Sequence, residues 1–576
     1  MQKQFLLAIV LSFLVIYGWN ALYPPQRKAP PAQQQQSAAA PSGTQTPGAA
    51  AVPVAPGTSA PPAAVETNST PIVSAAAEQD IVIEGPAVTG IISTRGAVLK
   101  SWRLKNYRDT SGAPLELVPQ VVPDAPKPFT LEVDDAATSA TLRNALYKPD
   151  ADSITMGAEP KTLAFEYRDS AGLVARKEFT FTPAHPYVVR FAVNVSRNGT
   201  ALNPTVNWGP ALGTGVVASG MNYAPAPQPI FYRDRSVTRV AIGDIAKHRQ
   251  EQGTFGFAGV DDHYFLSAIV PPAEPLQLSY SPVALTVPGG DHALQFVSWS
   301  VRSPSAPLAA DFFFGPKDLD VLQSIKPDLV RAIHFGTFSL IVVPLLQALK
   351  WVDSYIGNYG WSIIVLTIII NLLMFPLKHK SIVSMRKMQE LQPQMKAIQD
   401  RYSKLKMTDP GRQKMNEEVM ALYKQHGTNP ASGCVPMLLS MPVLLAFYSM
   451  LSVAIELRGA PFVGWIRDLS AHDPYFVTPV LMGITMFVQQ KMTPAVADPV
   501  QAKMMMFMPL MFTGMLMWAP SGLVLYWTAS NIWAIGQQTL TNRLIGPPPQ
   551  HNVRPPAERQ IKNAGAGKSS LAKERK

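Results

Sequence analysis

Apolar and polar positions alternate with a period of two over residues 81–314. In two stretches the apolar side chains fill every second position: Phe179 and Phe181, then Val189, Phe191, Val193 and Val195. This alternation predicts strands with one buried face, and Asn198-Gly199 and Gly289-Gly290 are typical of the tight turns that join strands. We therefore expect a β-sandwich-like domain over residues 80–316.

Continuous apolar runs, rather than alternation, occupy the N-terminus and the chain after residue 330. The candidate spans, by length, are residues 5–22, 333–349, 361–377, 434–455, 475–490, 504–518 and 522–540. Residues 378–424 carry eleven Lys and Arg against five Asp and Glu. Because basic segments stay on the inner side of a membrane, we expect 333–349 to lie along the outer surface as an amphipathic helix and the other six runs to span.

These patterns divide the chain into eight parts. In order, they are an N-terminal transmembrane anchor (1–23), a disordered tether rich in Pro, Ala and Gln (24–79), the β-sandwich domain (80–316), an interfacial amphipathic helix region (317–358), a second transmembrane helix (359–377), a helical hairpin (378–428), transmembrane helices three to six (429–542) and a basic tail (543–576). The hairpin is predicted from apolar residues spaced three and four apart, among them Met388, Leu391, Met395 and Tyr402. Pro393 should kink its first helix.

Composition narrows the chemistry that the chain can support. The formal net charge is +11, and the basic tail suits the inner face of an anionic membrane. The single cysteine, Cys434, excludes an intramolecular disulfide, and the nine histidines show no metal-ligand spacing, so we expect no metal and no cofactor. Gly567-Lys568-Ser569 lacks the preceding glycine and strand of a phosphate loop. We interpret Asp261-Asp262-His263 as solvated charges on a strand or turn.

The predicted spans contain no Asp or Glu, which argues against an ion-coupled transporter. They do contain uncharged polar and aromatic residues, which are the candidate residues of a substrate groove: Thr367, Asn371, Ser440, Gln489, Tyr526, Trp527, Ser530 and Asn531. Thr367 and Asn371 lie four positions apart and share one helix face. Two interpretations stay open, namely hydrogen bonds between helices, or a hydrated hollow that admits a polar segment of another protein.

Methionine is concentrated in the same part of the chain, because 20 of the 23 methionines lie at position 374 or later. Methionine side chains are flexible and polarisable, so they adapt to many apolar partners. Met441, Met486 and Met515 are therefore candidate contacts for apolar substrate segments. The alternative interpretation is that they fill irregular gaps in the packing.

Several short motifs resemble those of one known family, the YidC insertases. The motifs are Asn429-Pro430, Gly433-Cys434, Pro436 and Met441-Pro442 at the third span, Asn358 and Gly360 before the second, Phe375-Pro376-Leu377 at its end, Gln392-Pro393 in the hairpin, Glu456-Leu457-Arg458 in the outer loop, and Tyr526-Trp527 with Ser530-Asn531 in the last span. They cover residues 330–545. With the anchor, the tether and the outer domain, the chain resembles the Gram-negative form of the family.

The resemblance implies an α-helical membrane bundle of six transmembrane helices with a large periplasmic β-sandwich domain and a cytoplasmic helical hairpin. It implies a multi-pass protein of the bacterial inner (cytoplasmic) membrane with both termini cytoplasmic. The implied function is that of an insertase and chaperone, not an enzyme, which inserts, folds and helps assemble inner-membrane proteins through a hydrophilic groove without nucleotide. The implied partners are nascent membrane proteins, the Sec translocon, the ribosome and targeting factors, and anionic lipids.

One position departs from the family pattern. The family's groove usually carries an arginine in the second span, and Asn371 stands at the matching position. We therefore expect either a neutral groove or a charge that Lys378 or Lys380 supplies by reaching up from the membrane surface. Two other functions stay as alternatives: a small-solute transporter, and a membrane-anchored periplasmic protein that binds or acts on carbohydrate.

Overall fold

The computed structural model describes residues 70–109, 111–121, 125–212, 226–271, 274–286, 293–304, 307–336, 338–402, 411–427, 435–492 and 499–545. The described part of the chain forms two compact units, of which the smaller comprises the described residues of 397–422. The predicted anchor, the turn at Gly289-Gly290, the motifs Asn429-Pro430 and Gly433-Cys434, and the basic tail beyond Ile545 lie outside the described residues.

The larger unit begins with a β-rich domain. Its strands are β1 (Pro71–Val73), β2 (Asp80–Glu84), β3 (Val88–Ser93), β4 (Val98–Arg108), β5 (Pro114–Glu116), β6 (Thr130–Glu132), β7 (Lys148–Pro149), β8 (Ser153–Thr155), β9 (Lys161–Asp169), β10 (Leu173–Phe181), β11 (Val188–Arg197), β12 (Thr200–Leu202), β13 (Thr205–Ala211), β14 (Gln228–Arg233), β15 (Ser236–Arg239), β16 (Gln250–Gly253), β17 (Phe257–Asp261), β18 (Phe265–Val270), β19 (Leu276–Thr286), β20 (Ala293–Arg302) and β21 (Ala309–Pro316). Helix α1 (Ala136–Asn144) lies among them and is capped by the Asp135 side chain.

The strands form three sheets. The largest has the order β1-β9-β10-β11-β21-β18-β17-β14-β15, with β12 on β11 and β7 on β9. The second is β16-β19-β20-β13-β6, and the third is β5-β4-β3-β2-β8. Neighbours pair antiparallel except β2 with β8, which pair parallel. The β-rich domain predicted from the alternating pattern is therefore confirmed, and it has three sheets where a simple sandwich would have two.

Aromatic side chains join the largest sheet to the second. The ring centroid of Phe129 lies 5.1 Å from that of Phe179, 4.7 Å from Phe191 and 4.9 Å from Trp208. The alternating residues of β10 and β11 that were predicted to face inward are buried. Asn198-Gly199 has positive φ at both residues and joins β11 to β12, as the sequence predicted.

A fully buried lysine connects the three sheets. Lys177 in β10 is 0% exposed, and its Nζ donates to the carbonyl oxygens of Gly96 at 2.6 Å, Ala97 at 3.2 Å and Phe129 at 2.7 Å. Gly96 and Ala97 lie between β3 and β4, and Phe129 precedes β6. All three have positive φ, at 68°, 45° and 70°. The lysine therefore satisfies backbone groups that the left-handed conformation turns into the interior. Burial lowers the pKa of Lys177 well below its ordinary value.

The ordered chain starts earlier than composition predicted. Strand β1 lies inside the segment 24–79, which was assigned to a disordered tether, and it pairs with β9 at the edge of the largest sheet. Farther along, the Ala75 N–H donates to the Leu146 carbonyl at 3.0 Å. The prediction of disorder is therefore wrong for residues 70–79. Average composition misses a short strand that pairs with residues far along the chain.

A β-bulge in β13 depends on a glycine. The register with β20 shifts between Asn207 and Gly209. Gly209 has φ +69°, and a Cβ placed on it would lie 1.7 Å from the Pro126 carbonyl oxygen. No other residue fits this backbone without moving the chain at Pro126.

A helical region follows the β-rich domain. Its helices are α2 (Leu319–Ile325), α3 (Ser339–Ile356), α4 (Tyr359–Leu373), α5 (Phe375–Glu390), α6 (Gln392–Arg401), α7 (Gly411–Gln425), α8 (Val435–Val453), α9 (Val477–Met492), α10 (Pro499–Met515) and α11 (Ser521–Ile545). The helical C-terminal region is therefore confirmed. By length and composition, and among the described residues alone, α3 is apolar and long enough to cross a membrane, and α4 with Phe375–Ser384 passes as one bent span. Sequence analysis placed α3 along the outer surface instead.

Prolines and glycines explain where the helix ends differ from the prediction. The run 361–377 was expected to be one helix, but α4 ends before Pro376 and the chain bends by 55°, because proline lacks the N–H of an unbroken helix. The first hairpin helix is divided between α5 and α6 beside Pro393, where only a kink was expected. Helix α3 starts later than residue 333 because Gly336 has φ +70°, and it ends at Gly357 with φ +69°.

The predicted hairpin residues are placed as follows. Leu391 and Met395 are buried, and the Tyr423 hydroxyl lies 3.0 Å from the Met395 sulfur. Within the smaller unit, the Tyr402 hydroxyl donates to Glu418 Oε1 at 2.6 Å. The side chain of Met388 lies outside the described part.

Candidate functional site

A stripe of polar side chains follows one face of α4. Thr367 and Asn371 are both buried, at 1% and 6% exposed. The Thr367 hydroxyl donates to the Ile363 carbonyl at 2.6 Å, and Asn371 Nδ2 donates to the Thr367 carbonyl at 2.8 Å. Because the two residues lie four positions apart, they share one face, and the sequence itself builds the stripe. These backbone contacts lower the cost of burying the polar groups.

A lysine extends the stripe beyond the C-terminal end of α4. Lys378 in α5 is half-buried, and its Nζ donates to Asn371 Oδ1 at 2.7 Å. The carboxamide of Asn371 thus bonds to backbone through its nitrogen and to an ammonium through its oxygen. Of the two lysines that sequence analysis considered, Lys378 contacts Asn371, whereas Lys380 is exposed. This contact favours the second of the two expectations, in which Lys378 supplies charge beside Asn371.

Helix α11 runs beside α4 and α5 in the same direction. A Cβ placed on Gly522 would meet Ile363 Cδ1 of α4 at 3.4 Å. In α5, the Phe375 carbonyl accepts from Gln537 Nε2 at 3.4 Å, and His379 Nδ1 lies 3.3 Å from Thr541 Oγ1. The contacts advance together along both segments, so α11 runs parallel to α4 and to the start of α5.

The predicted residues of α11 face several neighbours. The Tyr526 ring stacks on Phe447 of α8 with centroids 4.3 Å apart, and the Trp527 ring lies 5.7 Å from Phe512 of α10. Asn531 Nδ2 donates to Thr485 Oγ1 of α9 at 3.3 Å. The structure thus brings Thr367 and Asn371 together on α4, while Tyr526, Trp527 and Asn531 connect α11 to three other helices.

The remaining candidates are placed at different depths. Gln489, Ser530 and Met486 are half-buried, whereas Met441 and Met515 are exposed. The side chain of Ser440 lies outside the described part of the structure. Sequence analysis missed Ser362, Gln537 and Thr541, which are buried polar residues of the same two helices. A spacing of four between Gln537 and Thr541 was the available signal.

A carboxylate organises the loop before α9. Asp473 is buried, and its oxygens accept from Trp465 Nε1 at 2.9 Å, the Tyr475 N–H at 3.0 Å and the Thr478 N–H at 2.8 Å. Burial alone would raise the pKa of Asp473, but these hydrogen bonds outweigh it and the pKa is lowered. The loop is therefore held by an ionised side chain.

The expectation that Asp261-Asp262-His263 carries solvated charge is wrong. Asp261 is 1% exposed and pairs with Lys317 Nζ at 3.0 Å and Arg239 Nε at 3.2 Å. His263 Nε2 lies 2.7 Å from the Ser452 carbonyl oxygen of α8, to which it donates. Within the described residues, no group of three or more His, Cys, Asp or Glu side chains could hold a metal ion.

Comparison with known proteins covers nearly the whole chain. The family model described as "60Kd inner membrane protein" matches residues 351–547, and the model described as "YidC periplasmic domain" matches residues 80–348. A membrane protein insertase YidC of Geobacter metallireducens is 36% identical over 563 residues, which cover 95% of this chain and 99% of that protein. One of Geobacter sulfurreducens is 37% identical over 559 residues, with 95% and 99% covered.

A solved structure of an active YidC insertase, with its first transmembrane domain resolved, is 17% identical and covers 81% of this chain and 94% of its own. The TM-score is 0.34, so that likeness carries no argument about the fold. The identity and coverage of the two Geobacter relatives, together with the two matching family models, establish the family. The chain belongs to the YidC family of membrane protein insertases.

Proposed function

We propose that this protein inserts other proteins into the bacterial inner membrane and carries their polar segments along the α4 stripe beside α11. The observation that carries the proposal is the continuous chain of polar groups that runs from the buried Thr367 and Asn371 to the half-buried Lys378. A polar segment in hydrocarbon costs several kcal/mol for each unpaired backbone group. Side chains that can exchange their present hydrogen bonds for bonds to a substrate lower that cost.

The proposed topology has six spans with both termini on the cytoplasmic side. They are the predicted N-terminal span, α4 with the start of α5, and helices α8 to α11, while α3 lies along the outer surface. Six exposed aromatic residues support this placement of the outer membrane surface: Trp351, Tyr355, Trp361, Trp465, Tyr475 and Trp518. Tryptophan and tyrosine favour the membrane interface. Basic residues lie toward the opposite ends of the spans: Lys378 just after the bend between α4 and α5, and Lys491 and Arg543 in the last turns of α9 and α11.

The proposed partners follow from the same topology. The helical hairpin and the basic tail would face ribosomes, targeting factors and anionic lipids, and the protein would act alone or beside the Sec translocon. Exposed methionines, among them Met441 and Met515, would contact the apolar parts of a substrate. The function needs neither nucleotide nor enzyme chemistry, because partitioning of the substrate drives insertion.

Site-specific crosslinking tests the path. A photoreactive residue at position 367, 371 or 527 should crosslink to nascent membrane proteins stalled on ribosomes. Positions 372 and 373 serve as matched controls, since Leu372 and Leu373 on α4 are 59% and 74% exposed and should contact lipid. Equal crosslinking from positions 371 and 373 would exclude the stripe as the path.

Charge on the stripe predicts a preference among substrates. Lys378→Gln should reduce insertion of a substrate with an acidic outer segment several-fold, because Lys378 supplies the ammonium next to Asn371. A neutral-tailed version of the same substrate should be inserted as before, and Lys380→Gln is the matched control. Asn371→Leu should impair both substrates, and normal insertion by that variant would remove Asn371 from the path.

A further inference from the structure

Helix α3 lies where the β-rich domain meets the outer ends of the helical region. Its buried residues Val342, Leu346, Leu349 and Val352 recur every three or four positions and form one stripe, and α3 packs against α4 and α8. The opposite face carries the exposed Trp351 and Tyr355. The apolar stripe fixes which face of the helix turns inward.

One lysine of α3 connects three separate elements. Lys350 Nζ lies 2.5 Å from Asp320 Oδ2, 3.5 Å from Asp318 Oδ2 and 3.2 Å from Glu456 Oε1. Asp318 caps α2 at the exit of the β-rich domain by accepting from the Asp320 and Val321 N–H groups. Glu456 lies in the turn that follows α8. The position of this ammonium therefore fixes α3 against both the domain exit and α8.

The carboxylate of the Lys350–Glu456 pair is shielded from water more than the ammonium is. The Glu456 side chain is 6% exposed and the Lys350 side chain 23%, and the 3.2 Å contact has the distance of an ion pair without the angle of a hydrogen bond at Oε1. Burial raises the pKa of Glu456, and Lys350 opposes that rise. Removing Lys350 would leave the glutamate facing two aspartates with their countercharge gone, which costs far more than losing a surface pair.

The neighbouring contacts hold the β-rich domain to the same turn. The Arg458 guanidinium lies 4.9 Å from the Phe265 ring centroid and 5.8 Å from that of Tyr264. Burial lowers the pKa of His263, so the ring is neutral and its Nε2–H donates to the Ser452 carbonyl. The start of β18 is thereby fixed to the end of α8 and to the turn that carries Glu456.

The same face of α3 reaches the first turn of α4, the helix that carries the polar stripe. Asp353 lies one helical turn after Lys350, and its Oδ1 accepts from the Ser362 hydroxyl at 3.2 Å. Ser362 lies in the first turn of α4, five positions before Thr367. A displacement of α3 would therefore act on the end of α4 from which the stripe continues.

We propose that Lys350 is a positioning residue for insertion: by pairing with Glu456, Asp318 and Asp320, it holds α3 over the outer end of the α4 stripe in the position that lets a substrate complete its crossing. The inference rests on the proposed function of that stripe. Lys350 does not touch the substrate, so its loss should leave capture intact and slow completion.

The test separates capture from completion in proteoliposomes that contain the full-length protein. Capture is measured by crosslinking from position 371 to a stalled nascent chain, and completion by protection of the substrate's outer segment from added protease. Lys350→Met should complete about tenfold less substrate at unchanged capture, the size of effect expected when one charge-assisted contact is lost. Lys350→Arg should restore completion, because it keeps the charge. Lys161→Met, at an exposed site on β9, is the control.

Each other outcome counts against a specific claim. Normal completion by Lys350→Met, or no rescue by Lys350→Arg, overturns the positioning role while the stripe stands. Failure of the wild-type protein to capture substrate through position 371 overturns the proposed function instead. If Lys350→Met does not fold, Glu456→Gln provides the second variant, and it should show the same loss of completion at unchanged capture.

A covalent crosslink tests whether α3 stays in this position during insertion. Lys350→Cys and Glu456→Cys, combined in a Cys434→Ser background, can be joined by a short bis-maleimide. The linked protein should complete insertion at the wild-type rate, and the unlinked cysteine pair should not. Loss of completion on linking would mean that α3 must move away, and would overturn the proposal.

Discussion

Lys177 offers a direct test of how the β-rich domain is held together. Replacement by methionine keeps most of the side-chain volume and removes the hydrogen bonds that Lys177 donates to the carbonyls of Gly96, Ala97 and Phe129. Each carbonyl left buried without a partner costs about 1–3 kcal/mol. The left-handed backbone at Ala97 and Phe129 costs roughly 1–2 kcal/mol per residue, which the wild-type contacts help to offset.

Removing the ammonium also relieves part of the cost of burying a charge. Since three orphaned carbonyls outweigh this relief, we expect Lys177→Met to destabilise the domain by about 2–4 kcal/mol near pH 7. Lys100→Met is the matched control, because Lys100 pairs with Asp80 at the surface with its side chain 48% exposed. An exposed pair contributes about 0–1 kcal/mol.

Hydrogen exchange of the full-length protein measures this difference where it arises. Peptides from β6 and β10 should exchange roughly 30-fold to 1,000-fold faster in Lys177→Met than in wild type, since about 1.4 kcal/mol corresponds to a factor of ten. If these peptides exchange no faster in Lys177→Met than in Lys100→Met, the three carbonyls do not depend on Lys177.

The pH dependence has a definite sign. The folded-state pKa of Lys177 is lowered, so just below its ordinary value of 10.5 the unfolded chain binds more protons than the folded one. Stability contributed at this site therefore rises as the pH increases towards 10.5 and is smaller at neutral pH. The stability gap between wild type and Lys177→Met should widen over that range, and a gap that narrows would contradict the assignment.

Two further predictions concern the fold. Gly209→Ala should destabilise the β-rich domain by about 3 kcal/mol or more in thermal unfolding, because its Cβ would overlap the Pro126 carbonyl. The control is Gly112→Ala, which should cost only about 1 kcal/mol, because Gly112 has φ +86° but open space around it. Equal effects of the two substitutions would contradict the clash at Gly209. Asp473→Asn should lose about 1–2 kcal/mol at pH 7. Since the folded pKa of Asp473 is lowered, this advantage of the carboxylate is present above about pH 4 and is lost as the pH falls through the folded pKa; a pH-independent difference would refute it.

Local pattern was sufficient for much of the fold. The alternation from Val189 to Val195 predicted a buried strand face, and Asn198-Gly199 predicted the turn that follows. Both signals depend on neighbouring residues, which a sequence displays directly. The helix breaks beside Pro376 and Pro393 were predicted as boundaries or kinks but not as full breaks, because the depth of a bend depends on what packs around it.

Contacts between segments that are distant in sequence could not be predicted. His263 and Ser452 lie 189 positions apart. Nothing in Asp261-Asp262-His263 indicates that Lys317 and a helix carbonyl oxygen will be their partners. Of the candidate site, the shared face of Thr367 and Asn371 followed from a spacing of four. The contact of Lys378 with Asn371 depends on the bend between α4 and α5, so the sequence offered it only as one of two possibilities.

The way β1 joins the largest sheet has a mechanical consequence. A pull on the chain at Thr70 would act first on an edge strand of three residues, whose bonds to β9 break one after another instead of together. Detaching the segment up to Gln79 would release about ten residues, or roughly 30 Å of extended chain, while the aromatic cluster around Phe129 stays packed. The N-terminal end of the domain can therefore lengthen under a weak pulling force while the rest of the domain stays folded.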